Sequence, residues 1–359
     1  MAARPDKGTR TAIRPRPYTD GVEAPTTLQD IADRVGVTRG TVSLALSGKG
    51  RMSAETRERI RSAARDMNYV ANTVARNLRA SRSGSVGLYI PDNPLSYPYY
   101  MDVVYGAVKE AQQAGMLVTV LPSEEGRDPR FEDHLDGFIV MDPEDGDPMA
   151  ERLLTGRRPV VSGEAVPEGT RAPWAVVTSD NRSGIAQVVD HVIGRGARTV
   201  LAVLPPPNAA WVREIAEGFE ASIARHDAHG TRTELAPDLT ADAIGNQIVQ
   251  AVRSRPDIDA VICAAEGAAV IALSALQADG RQVGEDLLLA SYLDSGALRV
   301  STPSVTALDL QPRRIGAACM AALLDSLGGT RPDEPVRVDV APVLHVRAST
   351  APLTRVKGG

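Results

Sequence analysis

Residues 27–79 read TLQDIADRVGVTRGTVSLALSGKGRMSAETRERIRSAARDMNYVANTVARNLR, and their hydrophobic spacing decides the fold of the front of the chain. Leu28, Ile31, Ala32 and Val35 recur at helical spacing; Thr27 stands at the N-cap and Asp30 three residues on, the two halves of a capping box. Gly36 ends this helix, Val37 fills the corner, and Thr38 caps a second helix whose inward face is Val42, Ala45 and Leu46. Ser53 starts a third, with Ile60, Ala64 and Met67 inward and Arg57, Arg59, Arg61 and Arg65 mostly outward. Two short helices joined by a tight turn present the first residues of the second to base edges in a major groove. Those residues are Thr38, Arg39, Gly40 and Thr41, followed by Ser43. Arg39 can offer a two-pronged fork to guanine O6 and N7, worth roughly 1–3 kcal/mol of discrimination, and the hydroxyls of Thr38, Thr41 and Ser43 suit phosphates or close base approach.

The charge distribution points the same way. The 359 residues carry a net charge of −5, yet residues 1–84 hold 16 Lys+Arg against 8 Asp+Glu, leaving 24 against 37 for the remainder. A basic head on an acidic body is the footprint of a DNA-binding domain joined to one that does not touch DNA. Residues 1–25, rich in Pro, Arg, Gly and Thr without hydrophobic period, read as a disordered basic arm. The two cysteines, Cys263 and Cys319, sit among small apolar residues like buried thiols and are too few for a disulfide framework or a cysteine zinc site. No apolar run follows the basic N-terminus and none approaches the roughly 18 residues of a membrane span, so the reading is a cytoplasmic protein without a membrane partner.

After Ser83-Gly84 the pattern alternates between strand and helix. Apolar strand runs fall at 86–90, 117–121, 137–141, 160–161, 174–177, 200–204, 260–264 and 287–291, with helical stretches at 101–114, 183–194, 213–226, 241–254, 268–278 and 314–327. Such alternation implies parallel sheets covered on both faces, in two lobes, with ligands bound off the carboxyl ends of the strands. The expected organisation is a basic arm over 1–25, an all-α helix-turn-helix domain over 26–70, a hinge over 71–84, a two-lobed α/β sensor over 85–347 and a flexible tail over 348–359. No phosphate-binding loop, nucleophile elbow or dinucleotide fingerprint is present, and His226 and His229 have no third ligand nearby. Neither an enzyme, a metal site nor a cofactor is expected.

The order D-I-A, G-V, T-V-S, S-x-x-T-R-x-R-I, N-Y, A-N and A-R-x-L across the head resembles the lactose-repressor (LacI/GalR) family of bacterial transcription regulators. The resemblance implies a homodimer that binds a palindromic DNA operator, usually as a repressor, and a periplasmic-binding-protein-like sensor controlled by a small-molecule effector, a sugar or related metabolite. It also implies a hinge that becomes helical on DNA, with Asn72 at its N-cap, Ala75 and Arg76 at the DNA and Leu78 as the apolar wedge between central base pairs. The tail APLTRVKGG lacks the lactose repressor's tetramer-forming leucine heptads, which favours a dimer.

Departures from the family pattern fall at both ends. Leu44 occupies the place where many members have an arginine after T-V-S, and both contact with thymine methyls and packing within the head fit it. Ala71 replaces the usual hinge proline. In the sensor, Asp180 and Ser183 match a polar effector contact, and Arg213 an arginine that grips effector oxygens. Tyr97, Tyr99, Tyr100 and Trp211 offer aromatic walls, although core packing fits each equally well. Ala265-Glu266 replaces an Asn-Asp pair and Leu293-Asp294 replaces paired aspartates, so the effector differs from an ordinary sugar or its site has been lost. A small-molecule-binding protein without regulatory DNA binding is the alternative reading.

Overall fold

The computed structural model describes residues 26–46, 48, 50–69, 82–91, 97–122, 129–236, 239–329 and 332–353. The chain divides into two compact units, Met1–Thr73 and Val74–Gly359. In the first, α1 (Leu28–Val35), α2 (Arg39–Leu46) and α3 (Ala54–Asp66) surround a small core of Ile31, Ala32, Val42, Ala45, Ile60 and Ala64. Each helix start has its side-chain cap. The Thr27 hydroxyl accepts from the Asp30 amide at 3.3 Å while the Asp30 carboxylate accepts from the Thr27 amide at 2.7 Å, the reciprocal capping box. Thr38 Oγ1 accepts from the Thr41 amide at 3.2 Å and Ser53 Oγ from the Thr56 amide at 3.1 Å. Gly36, at φ 74°, turns α1 towards α2 in a left-handed conformation that a side chain would strain. Arg59 reaches across to donate to the Val35 carbonyl at 3.1 Å, closing an α1 end that would otherwise lack a donor.

The second unit has two six-stranded sheets. Its strands are β1 (Ser85–Ile90), β2 (Leu117–Pro122), β3 (Phe138–Met141), β4 (Val160–Gly163), β5 (Ala175–Thr178), β6 (Thr199–Leu204), β7 (His229–Glu234), β8 (Ala260–Cys263), β9 (Leu288–Ser291), β10 (Thr306–Asp309), β11 (Val336–Asp339) and β12 (Val343–His345). The first sheet has the order β11-β5-β4-β3-β1-β2 and is wholly parallel. The second, β12-β10-β9-β8-β6-β7, is parallel except for antiparallel β12. Its helices are α4 (Tyr97–Ala114), α5 (Pro148–Thr155), α6 (Asn181–Gly194), α7 (Ala210–Arg225), α8 (Ala241–Ser254), α9 (Ala268–Ala278), α10 (Gly296–Val300) and α11 (Pro312–Gly328). The chain passes between the sheets after β5, after β10 and after β11, so three closely grouped crossovers join the lobes.

Burial explains which elements the sequence displays. The central strands are buried along their whole length, as in Thr199–Leu204 and Ala260–Cys263, because helices cover both sides of a parallel sheet. Cys263 and Cys319 are both free and buried, and burial pushes the Cys263 thiol up to about 12. His191 bonds Thr350 at 2.8 Å, and His226 pairs with Asp190 at 2.9 Å. Of residues 123–136, the described part, 129–136, holds a short 3-10 helix at Pro129–His134.

Candidate effector cleft and DNA-reading helix

A cleft of about 610 Å³ opens between the two lobes, and its walls are built from the residues just beyond the strands. Asp142 follows β3, Glu164 follows β4, Asn181 opens α6 after β5, Glu266 lies beyond β8, and Tyr292 and Leu293 follow β9. In a parallel sheet all strands end on one side, so two sheets whose carboxyl edges face each other deliver their loops to one place. α4 adds Tyr99 and Tyr100 from its first turn, and α7 adds Trp211 and Val212 from its own. A cavity of this size holds a small molecule such as a mono- or disaccharide.

Two of the acids occupy strained backbone. Asp142 has φ 41° and Glu164 φ 86°, conformations costly for non-glycine residues, which persist where the surrounding structure enforces them and which cluster at ligand sites. Here the Asp142 amide donates to the Gly163 carbonyl and the Glu164 amide to the Val177 carbonyl, each at 2.8 Å, so the neighbouring strand holds both turns.

Hydrogen bonds then tie the acids into the walls. Tyr100 donates its hydroxyl to Asp142 at 2.8 Å. Glu164 accepts from the Thr178 hydroxyl at 2.6 Å, the Asn181 side-chain amide at 3.0 Å and the Ser179 backbone amide at 3.2 Å. Tyr292, from the second lobe, donates to Asn181 Oδ1 at 2.8 Å, which links that lobe through Asn181 to Glu164 of the first. A second bridge runs from Asn208 to Glu144 at 2.8 Å and from Arg213 to Asp145 at 2.7 Å. Burial, reinforced by the charge of Glu144, raises the Asp142 carboxyl to about 7. Burial and then the charge of Asp142 raise Glu164 to about 8, against the bonds from Thr178, Ser179 and Asn181. Burial also lifts Glu266 to about 7, opposed by a backbone hydrogen bond from Tyr99. The cleft is therefore a concentration of carboxyl groups that titrate near neutrality.

Residues 27–72 match the family model for bacterial regulatory proteins of the lacI family, and residues 189–350 match that for a periplasmic binding protein-like domain. The chain is 28% identical to the HTH-type transcriptional regulator CelR of Thermobifida fusca over 336 residues, covering 90% of this chain and 98% of the relative. The chain thus joins a lacI-family DNA-binding head to a periplasmic binding protein-like body. The ribose operon repressor of Halalkalibacterium halodurans is 23% identical, with 90% of this chain and 97% of the relative covered. Among solved structures, a transcriptional regulator CelR–cellobiose complex is similar at 25% identity and a TM-score of 0.66, covering 90% of this chain and 99% of that one. A lac repressor dimer bound to operator and the anti-inducer ONPF shares the fold at 22% identity and a TM-score of 0.70, covering 91% of this chain and 100% of that one. With that helix-turn-helix head and periplasmic-binding-protein-like body, the chain is a DNA-binding transcriptional regulator rather than an enzyme.

The lacI-type head places Arg39, Gly40, Thr41, Ser43 and Leu44 on α2, directly after Thr38, its cap. Arg39 and Gly40 are exposed, and Leu44, at 46% exposure, stands outside the buried core of the head, with its inner edge towards Gly50. Thr27 is occupied as the cap of α1. Asn72, Ala75, Arg76 and Leu78, with Ala71, lie outside the described residues, as does the arm over 1–25.

The periplasmic-binding-protein-like sensor brings together only part of the expected effector set. Tyr100, Trp211 and Leu293 line the cleft. Tyr97 begins α4, and its side chain lies outside the described set. Asp180 caps α6 by accepting from the Ser183 amide at 3.0 Å, and both residues are exposed rather than in the cleft wall. Arg213 is engaged by Asp145 and by the Pro207 carbonyl at 2.9 Å. Asp294 is gripped by Arg347 at 2.8 Å and Arg299 at 2.9 Å. Although burial opposes it, those two arginines hold its carboxyl below the usual range. The sequence reading did not single out Asp142, Glu144, Glu164, Asn181 and Tyr292. Their signal is positional: a polar or aromatic residue directly after an apolar strand run, as in FIVM-Asp142 and VVSG-Glu164.

Proposed function

We propose that this regulator represses transcription as a homodimer on a near-palindromic operator, and that a small saccharide or related metabolite in the interlobe cleft controls its release. The observation that carries the reading is the 610 Å³ cleft at the strand ends, crossed by hydrogen-bond bridges from one lobe to the other. A ligand that replaces or reinforces those bridges has different affinities for different lobe arrangements, the requirement for allosteric control; about 1–3 kcal/mol of coupling is typical. The relatives' names, a ribose operon repressor and a regulator solved with cellobiose, support a saccharide effector. For the dimer, Met101 and Tyr105 lie one turn apart on α4 at 48% and 58% exposure, and Leu117 begins β2 at 70%, an apolar surface on one lobe suited to a second copy. The alternation of basic head and acidic body, and a body in which no described helix is long and apolar enough to cross a membrane, support action in the cytoplasm.

In the head, α2 reads the major groove through Thr38, Arg39, Gly40, Thr41, Ser43 and Leu44, while Thr27 meets phosphate. Selection of duplexes from a random pool by the full chain tests this: the reading expects an enriched inverted repeat, and enrichment of no site would overturn it. Arg39→Ala is expected to relax the selected preference at one position in each half-site and to weaken binding about 10- to 100-fold, as loss of a bidentate guanine contact does; an unaltered consensus would remove Arg39 from base reading.

The hinge contribution is separable from the head. Leu78→Ala is expected to reduce operator bending, measured by fluorescence transfer between the duplex ends, and to weaken operator binding without lowering the melting temperature of the sensor, because a wedge acts on DNA and not on the protein core. Unchanged bending would leave the wedge without a role.

A further inference from the structure

Acids elsewhere in this protein show how the fold treats a buried carboxylate that no ligand visits. Asp294 has a side chain only 1% exposed and is held by Arg299 and Arg347. Asp136, 5% exposed, accepts from the backbone amides of Ser83 and Gly84, each at 2.8 Å. Both sites satisfy the charge internally, as burial of an ionised group requires.

The cleft departs from that rule. Asp142, Glu144, Glu164 and Glu266 all face it, and no described lining residue is Lys, Arg or His. Two arginines on the adjoining helices are committed elsewhere: Arg182 to Glu214 and Glu217, Arg213 to Asp145. Glu266 supplies the independent sign of a missing occupant. It is 9% exposed and lines the cleft, and its Oε2 has no hydrogen-bond partner among the described residues. An orphaned buried acceptor is costly unless something else satisfies it. A neutral ligand can donate hydroxyls to these oxygens but does nothing to favour ionisation of carboxyls that burial and mutual repulsion hold protonated towards neutral pH, whereas an ammonium group supplies both donors and the countercharge that lets them ionise. A metal ion is a poor fit, because among the described residues no three acids or histidines converge closely enough to hold one. The remaining walls suit a ring: Trp211, Tyr99 and Tyr100 offer aromatic surface, and the walls also carry Asn181 and Asn208 for hydroxyl recognition.

From this juxtaposition of four carboxyl groups, an unpartnered buried oxygen and aromatic walls, we propose that the cleft selects a saccharide bearing a protonated amine over its neutral counterpart. The inference rests on the cleft being the effector site, and it adds the charge of the effector. Glu266 and Glu144 take the ammonium, while Asp142 and Glu164, already engaged by Tyr100, Thr178 and Asn181, accept from ring hydroxyls.

The test is a matched pair of probes titrated into the full-length protein by calorimetry: cellobiose and the β-1,4-linked disaccharide of glucosamine, which replaces the 2-hydroxyls by ammonium groups. The expected result is tighter binding of the aminated disaccharide by at least about ten-fold, an increment typical of a hydrogen bond to a charged group, with a preference that shrinks as salt is added. Glu266→Gln, which keeps shape and removes charge, is expected to bring the two probes to within about three-fold of each other. Equal or tighter binding of cellobiose by the wild-type protein would overturn the inference while leaving a saccharide effector site standing. Binding of neither probe would overturn it as well, and the wild-type comparison decides the matter even if the variant fails to fold. Whether the cleft controls DNA at all is read separately, from operator release on addition of either disaccharide.

Discussion

Gly316→Ala is expected to destabilise the sensor severely, because one methyl group placed there meets backbone rather than a movable side chain. A Cβ on Gly316 would stand 1.9 Å from the Val103 carbonyl oxygen and 2.7 Å from its carbon, and a Cβ on Gly106 would stand 2.0 Å from the Arg313 carbonyl oxygen. The two glycines face each other's helices, so α4 and α11 touch backbone to backbone. Neither position has a left-handed backbone that would by itself demand glycine. Relief needs the helices to part by more than 1 Å along a contact lined by Val103, Ile315, Cys319 and Met320, all buried. Overpacking typically costs about 1–3 kcal/mol, and a rigid backbone neighbour puts this case at or above the top of that range. Thermal unfolding checks it, with Gly194→Ala as the control: that position, at the last turn of α6, has nothing within 4 Å, and alanine there is expected to gain about 0.5–1 kcal/mol from helix propensity. A Gly316→Ala protein as stable as wild type would mean that the helices are not in close contact. The contact also serves the site, since α4 carries Tyr99 and Tyr100 to the cleft and α11 starts at the second crossover.

The second large effect is on the pH dependence of stability. Glu164 is raised from an ordinary 4.5 to about 8 and Asp142 from 3.8 to about 7. A carboxyl with a raised folded-state pKa keeps its proton in the native protein over a range where the unfolded chain has lost it. With more protons bound in the native state, stability falls as pH rises through that range, from about 4.5 to about 8 for Glu164. The ligand-free protein is therefore expected to melt at progressively lower temperature between pH 5 and pH 8. Glu164→Gln is expected to flatten much of that slope by removing one titrating group and the repulsion it exerts on Asp142. The slope is the informative quantity, because glutamine turns a donor towards the Ser179 amide and so sacrifices one hydrogen bond at every pH. A variant with the wild-type slope would mean that Glu164 titrates normally and is not desolvated in the cleft.

Legibility in the sequence followed burial. The helices of the head were readable because each helix start has a side-chain cap and Ile31, Ala32, Val42, Ala45, Ile60 and Ala64 fall into one small core. The central strands were readable because complete burial leaves mostly apolar residues in them. Four strands escaped notice, three of them for the opposite reason: β7 reads HGTRTE, β11 VRVD and β12 VLH, edge strands with mostly exposed side chains. β10, TALD, is buried but has polar residues at both ends and so shows no apolar run. Pairing with a neighbour, not local pattern, makes them strands. α5 was not read from the sequence either: Asp147-Pro148 supplies an N-cap followed by proline in the first turn, but the helix is short and this signal is local.

The cleft was less legible because a carboxylate after a strand looks the same whether it faces solvent or a ligand. Asp294 and Arg213 carried the right chemistry at the expected positions, yet Arg347, Arg299 and Asp145 engage them. Glu266 appeared in the sequence only as a departure, and its meaning depends on the burial of its oxygen and on the lack of any cation in the described cleft wall.

The central claim is that the basic head binds DNA and that the acidic body does not. The most direct measurement is the affinity of the full chain for duplex DNA as a function of salt concentration, by fluorescence anisotropy. Each phosphate neutralised by Lys or Arg contributes a slope of about −0.9 in the logarithm of affinity against the logarithm of salt. A dimer of such heads is expected to give a steep linear fall, with a total slope on the order of −5 to −9 for six to ten phosphate contacts. A flat dependence, or no binding at low salt, would contradict the account.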